Sequence, residues 1–180
     1  MKEQRITSVE KANAQGETLE LLNAVESKLG FIPNLVKVMA NTPPVLKAYL
    51  SLSELAGEGN FSAAFREKLA LVIAEANGCD YCLSAHTAIS KMHKIDDSAI
   101  LAARQAHSHD AKEEAGLAFA KNLTLNRGVV DEDEFQDLLD AGYTQAEALE
   151  IVFHVVFNTL TNYVNHIADT KIDFPVAAKL

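Results

Sequence analysis

The strongest constraint on the fold lies near the C-terminus. No glycine or proline interrupts residues 144–170, and Thr144 and Glu147 stand at capping-box spacing at their start. Inside this stretch, IVFHVVF (151–157) is β-branched and aromatic enough to suit a strand. It is bounded by the cap and by polar residues at helical spacing, so the pattern predicts one long, buried helix. Nothing else in the chain alternates with the period of two that a half-buried strand requires.

The remaining segments read the same way. Leu19, Leu21, Leu22, Val25 and Leu29 recur near helical spacing over 18–30, with Gly30 as a stop. Residues 31–44 predict a turn, a short helix and a second turn. Pro43 and Pro44 cannot continue a helix but can open the next one, over 45–59. Ser62 is the expected N-cap of a helix over 62–78 that ends on Asn77-Gly78. Further helices are predicted over 80–94, 96–106, 110–128 and 131–143, the last with acids in its first turn. No repeat and no linker divides the chain. The expectation is a single all-α domain over residues 1–180, with residues 1–15 loosely ordered.

Composition bounds the function. With 48% hydrophobic residues the chain can bury a core, and with 7% aromatic and no Trp that core must be mainly aliphatic. A net charge of −9 disfavours nucleic acid and anionic membranes, which reward a basic surface. The N-terminus has no apolar core of a secretory signal, and no apolar run is long enough to span a bilayer. A soluble, cytoplasmic protein is expected.

The chemistry concentrates in EKLALVIAEANGCDYCLSAHTA, which starts at Glu67. Its two cysteines, the only ones in the chain, are Cys79 and Cys82, and His86 follows one turn later. On a helix these three share a face. A bridge between residues three apart closes too small a loop to stabilise much, so a structural staple is a poor reading. A zinc site would lack its fourth ligand. A working thiol pair fits better. Asn77-Gly78 puts Cys79 at a helix N-terminus, where the dipole favours a thiolate, while His86 lies one turn from Cys82 and favours a thiolate there. The residues alone leave the two roles open. Glu67, on an inward-facing helix, needs a partner, and a His on the next helix would serve. Glu75 is a second candidate, nearer the helix end and more exposed.

Glu67, Cys79, Cys82 and His86, at this spacing and followed by Thr87, resemble the core motif of the AhpD-like alkylhydroperoxidases. These lie within the carboxymuconolactone decarboxylase superfamily, and the chain's length resembles the peroxidase-related branch. The resemblance implies an all-helical fold, a homo-oligomer (trimer or hexamer), and thiol-dependent reduction of hydroperoxides with no haem, flavin or metal. By position, Cys82 resembles the peroxide-attacking cysteine, Cys79 the resolving one, and Glu67 and His86 the proton relay. An external dithiol, lipoyl or thioredoxin-like, would close the cycle. The pattern departs from AhpD at Tyr81, where AhpD has a His; a phenol titrates near ~10 and is no base at neutrality. Two other functions use the same residues or fold: a disulfide reductase or redox sensor, and a carboxymuconolactone-decarboxylase-like lyase, whose chemistry does not depend on a cysteine pair.

His154, Asn158, Asn162 and Asn165/His166 form a polar stripe at helical spacing. It reads first as a hydrogen-bonded seam between helices or subunits. A pocket wall meeting the thiols is the second reading. His93, His107 and His109 are expected at the surface. The apolar faces of 45–57 and 149–164 exceed what one small bundle needs on its inside.

Overall fold

The computed structural model describes residues 4–180, which contain nine α-helices and no strand. A short 3₁₀ turn at Lys11–Asn13 leads into α1 (Gly16–Leu29), α2 (Asn34–Met39) and α3 (Pro43–Leu55). The central part comprises α4 (Ala63–Asn77), α5 (Asp80–Met92), α6 (Asp97–Arg104) and α7 (Ala111–Leu125). Then come α8 (Glu132–Asp140) and the long α9 (Gln145–Ala168).

The helix ends follow side-chain chemistry. Ser62, Asp96 and Asp110 each accept from a backbone N–H three residues on, and Thr144 and Glu147 cap reciprocally. Asp131 and Glu134 form a second capping box, more than the sequence reading saw in that acidic turn. Helix α3 stops at Leu55, short of the expected 59, because Gly57 and Gly59 hold helix poorly. The loop that follows is tied to α9 by Glu150, whose carboxylate accepts from Asn60 N (3.0 Å) and Phe61 N (3.1 Å).

Helix α4 is the centre of the domain. Ala70 to Ala74 are buried on every side, and the helix packs against α5, α6, α7 and α9. A helix apolar all round can only sit inside. Each fully buried Leu, Ile or Val there contributes about 1.5–3 kcal/mol. The segment 151–157 is helical as expected: Ile151 and His154 face inward, Val152 and Val156 outward.

Residues 4–15 are not loose. Arg5 N and Ile6 N donate to Ala168 O, and Val9 N to Lys37 O, so the segment is stitched to the end of α9 and to α2. Residues 1–3 lie outside the described residues. The sequence reading also passed over the tail beyond α9. Its Asp173 accepts from Asn34 N (2.7 Å), its Phe174 meets Phe31 and Tyr81 edge-on, and Ala177 N donates to Ser84 Oγ (3.1 Å). Arg104, nearly fully buried, anchors the end of the tail. It donates through Nε to Glu75 and through a terminal nitrogen to Ala178 O, both at 2.7 Å. Glu75 is thereby committed to this structural pair. Arg104→Met strands the carboxylate and the tail carbonyl. Because Glu75 is part-exposed, the expected loss is about 2–3 kcal/mol, less than for a fully buried pair. Urea unfolding checks it.

Candidate active site

The geometry of the site starts at a chain reversal. Gly78 takes a left-handed conformation (φ 67°), which ends α4 and turns the chain straight into α5. Cys79 becomes the N-cap of α5, and its sulfur accepts from Cys82 N at 3.4 Å. Helices α4 and α5 then run back along each other, which brings Glu67 opposite His86.

The two sulfurs lie 2.6 Å apart, and both thiols are free and buried. Three groups converge on Cys82. Cys79 S–H donates to it, Asn165 Nδ2 on α9 donates to it at 3.2 Å, and His86 acts on it through its charge. Among the described residues, His86 makes no direct hydrogen bond to the sulfur; its Nδ1 is taken by Glu67 Oε2 at 2.8 Å.

The electrostatics follow from this placement. Cys82 is pulled down to about 7, mainly by the Cys79 hydrogen bond, against burial, and further by His86, Asn165 and Asn162. Cys79 is pushed up, because its proton is shared with the Cys82 sulfur and because it is buried next to that charge. One proton is held between the pair, and the better-supported sulfur loses it. The dipole at the N-terminus of α5, which favours Cys79, is outweighed by the donors around Cys82. For His86, burial is the largest influence and pulls the imidazole down. The Glu67 carboxylate, by charge and hydrogen bond, and the Cys82 sulfur overcome it, and the net direction is up. Both shifts favour the charged forms, His86 being raised toward the imidazolium and Cys82 lowered toward the thiolate.

Glu67 is not the solvated helix acid its neighbours would suggest. Arg66 turns away to Phe61 O and Lys68 pairs with Glu113, which leaves Glu67 to His86. Tyr81 points elsewhere. Its hydroxyl accepts from Leu35 N at 3.1 Å and its ring meets Phe174, so it ties α5 to α2 and the tail. Tyr81→Phe leaves a buried N–H unpaired. It is expected to cost about 1–2 kcal/mol in thermal or urea unfolding and to leave Cys82 alkylation unchanged.

The polar stripe of α9 serves in two ways. As the first reading expected, Asn162 bridges helices: its Oδ1 accepts from Asn77 Nδ2 at 2.8 Å. Yet Asn165 reaches Cys82, so the stripe also meets the thiols, as in the second reading. His154 is buried against Phe61 and Phe153, its Nε2 has no hydrogen-bond partner among the described residues, and burial pushes it down. His93, His107, His109 and His166 are exposed. Sequence reasoning missed Tyr49 on α3. This ring stacks on Phe157 (5.8 Å), which stacks on Phe153 (6.3 Å). Burial pushes its phenol up, and the Cys82 and Glu67 charges act in the same direction. No spacing rule links residue 49 to residue 82.

Residues 43–122, from the start of α3 to near the end of α7, match the model of the carboxymuconolactone decarboxylase family. The chain is similar over 94% of its length to a peroxidase-related protein from Silicibacter sp. TM1040, at 25% identity, a TM-score of 0.82 and 92% of that chain. It also shares its fold with an alkylhydroperoxidase AhpD core protein from Ralstonia eutropha JMP134, at 22% identity and a TM-score of 0.84, over 94% of this chain and 92% of that one. The debrominase Bmp8, whose variant binds 2,3,4-tribromopyrrole, has the same fold at 23% identity and a TM-score of 0.79, covering 93% and 91% of the two chains. No curated protein matches the sequence. The family match thus covers residues 43–122, and over nearly the whole chain the fold is that of AhpD-like, peroxidase-related proteins.

Proposed function

We propose that the protein is a thiol-dependent peroxidase that reduces alkyl or hydrogen peroxide through Cys82 and Cys79, with His86 and Glu67 as the proton relay. The observation that carries this reading is the junction of two sulfurs 2.6 Å apart with a His86–Glu67 pair of 2.8 Å one turn further along α5. The Cys82 thiolate attacks one oxygen of ROOH and the O–O bond breaks. The alkoxide takes a proton from the His86 relay and leaves as ROH, with Cys82 as the sulfenic acid. Cys79 then attacks the Cys82 sulfur and its proton leaves with the hydroxide as water, giving the Cys79–Cys82 disulfide before further oxidation. An external dithiol, lipoyl or thioredoxin-like, takes the disulfide and returns two thiols.

Burial supports a small substrate. Cys82 is 3% exposed and Cys79 1%, which suits a peroxide better than direct attack on a folded protein's disulfide. Purified protein supplied with a dithiol should consume cumene or hydrogen peroxide. Reduction of a protein disulfide with no peroxide consumption would favour the exchange reading.

A second reading rests on Tyr49, whose phenol feels the Cys82 charge and whose ring stacks on Phe157, and on the fold shared with the debrominase. The same dithiol would reduce a ring carbon–bromine bond. In that reaction the ring carbon takes one of the two thiol protons in place of bromine, bromide and the other proton leave, and the two sulfurs supply the electron pair as they close to a disulfide. Bromide release from tribromopyrrole in place of peroxide consumption would select it.

Self-association belongs to the same proposal. Leu149, Val152, Val156, Tyr163 and Ile167 form an exposed apolar stripe along α9, a surface suited to a second copy. Among the described residues no helix is long and apolar enough to cross a membrane, and a cytoplasmic setting would keep the thiols reduced.

A further inference from the structure

We propose that Asn165 is a catalytic residue, an uncharged amide that holds the Cys82 sulfur from α9, and that Asn162, one turn earlier, is a second amide supporting the same sulfur. The inference rests on the reading that Cys82 is the attacking thiol.

Helix α9 crosses the start of α5, and Asn165 Nδ2 lies 3.2 Å from Cys82 Sγ, with both residues buried. A neutral thiol is a weak acceptor, whereas a thiolate is a strong one. An amide N–H fixed on that sulfur therefore stabilises the ionised form more than the protonated form. Asn162 stands one turn earlier and is fully buried. Asn77 donates to its Oδ1 at 2.8 Å, which sets the amide so that Nδ2 is the free end. That Nδ2 and Asn165 Oδ1 are buried without a partner among the described residues. Unpaired buried amide atoms cost stability and are found where a bound group or a reacting one completes them. Both asparagines are among the groups that pull Cys82 down.

The groups around the sulfur divide into two kinds. Cys79 and His86 on α5, Glu67 on α4 behind His86, and Tyr49 on α3 carry acidic or basic side chains. The two amides on α9 do not. Their support for the thiolate persists at a pH where the imidazole has lost its proton. It also comes from a helix outside the Cys-x-x-Cys segment, while Tyr81, between the cysteines, faces Leu35 and not the sulfur.

The test is the rate of iodoacetamide alkylation at Cys82 against pH, read by mass on the full chain held reduced. Wild type should rise through a midpoint near about 7. Asn165→Ala should move the midpoint up by about one unit, a tenfold slower reaction on the acid side. Asn165→Asp, the same size, should move it further, because a carboxylate at the sulfur repels the thiolate. Asn162→Ala should move it in the same direction by less. If the folded Asn165 variants keep the wild-type midpoint, the inference is wrong. If they do not fold, an unmoved midpoint in Asn162→Ala overturns it and a raised one supports it. Alkylation uses no peroxide, so a wild type inert to hydroperoxides but with the predicted midpoint shifts would sink the peroxidase reading and leave the amide assignment standing.

Discussion

Cys82→Ser is expected to abolish hydroperoxide turnover, by at least about a thousandfold, and to leave Cys79 unable to take over. The asymmetry has a physical basis. Cys82 receives the Cys79 proton, the Asn165 amide and the His86 charge, while Cys79 is buried and holds its proton. A serine hydroxyl in the same place cannot ionise near neutrality and is a poor nucleophile toward peroxide. Cys79→Ser behaves differently. It should react once, gain one oxygen at Cys82, and stop, since no second thiol resolves the sulfenic acid. Intact-protein mass after a stoichiometric addition of cumene hydroperoxide separates the two variants. An oxygen adduct on Cys82→Ser, or none on Cys79→Ser, would reverse the assignment.

Glu67→Gln is expected to lower peroxide turnover about a hundredfold and to move its pH dependence to the alkaline side. The sign follows from the site. The Glu67 carboxylate raises His86; without it, burial prevails and the imidazole loses its proton at lower pH. The thiolate then loses its nearest cation, and Cys82 climbs from about 7 toward the ordinary thiol range. At neutral pH the wild type is near half thiolate, and the variant would be mostly thiol. Because Glu67 acts through His86, the double variant Glu67→Gln/His86→Ala should cost little more than His86→Ala alone. Full additivity would show that Glu67 acts on the substrate by some other route.

Much of the fold was legible because its punctuation is local. Ser62, Gly78, Asp96 and Thr144 set their helix ends by contacts within a few residues, so spacing alone reveals them. The Cys79–Cys82–His86 face was legible for the same reason: one helix carries it. Glu67 needed one more step, the reversal at Gly78 that folds α4 onto α5. Contacts between distant segments were not legible. Arg5 on Ala168, Arg104 on Ala178 and Tyr49 on Phe157 depend on how helices far apart in sequence settle. The α9 stripe shows the boundary. Its polar residues at helical spacing are visible in the sequence, but that Asn165 meets Cys82 while Asn162 meets Asn77 is set by the crossing of α9 over α4 and α5.

The most direct test of the central claim is a single turnover of reduced wild-type protein with one equivalent of hydroperoxide. The free-thiol count, the protein mass and the alcohol product are followed together. The account predicts that both thiols vanish as one equivalent of alcohol forms, with a mass lower by two hydrogens and the Cys79–Cys82 disulfide in the peptide map. Thiols that persist beside intact hydroperoxide, in protein that alkylates normally at Cys82, would contradict it.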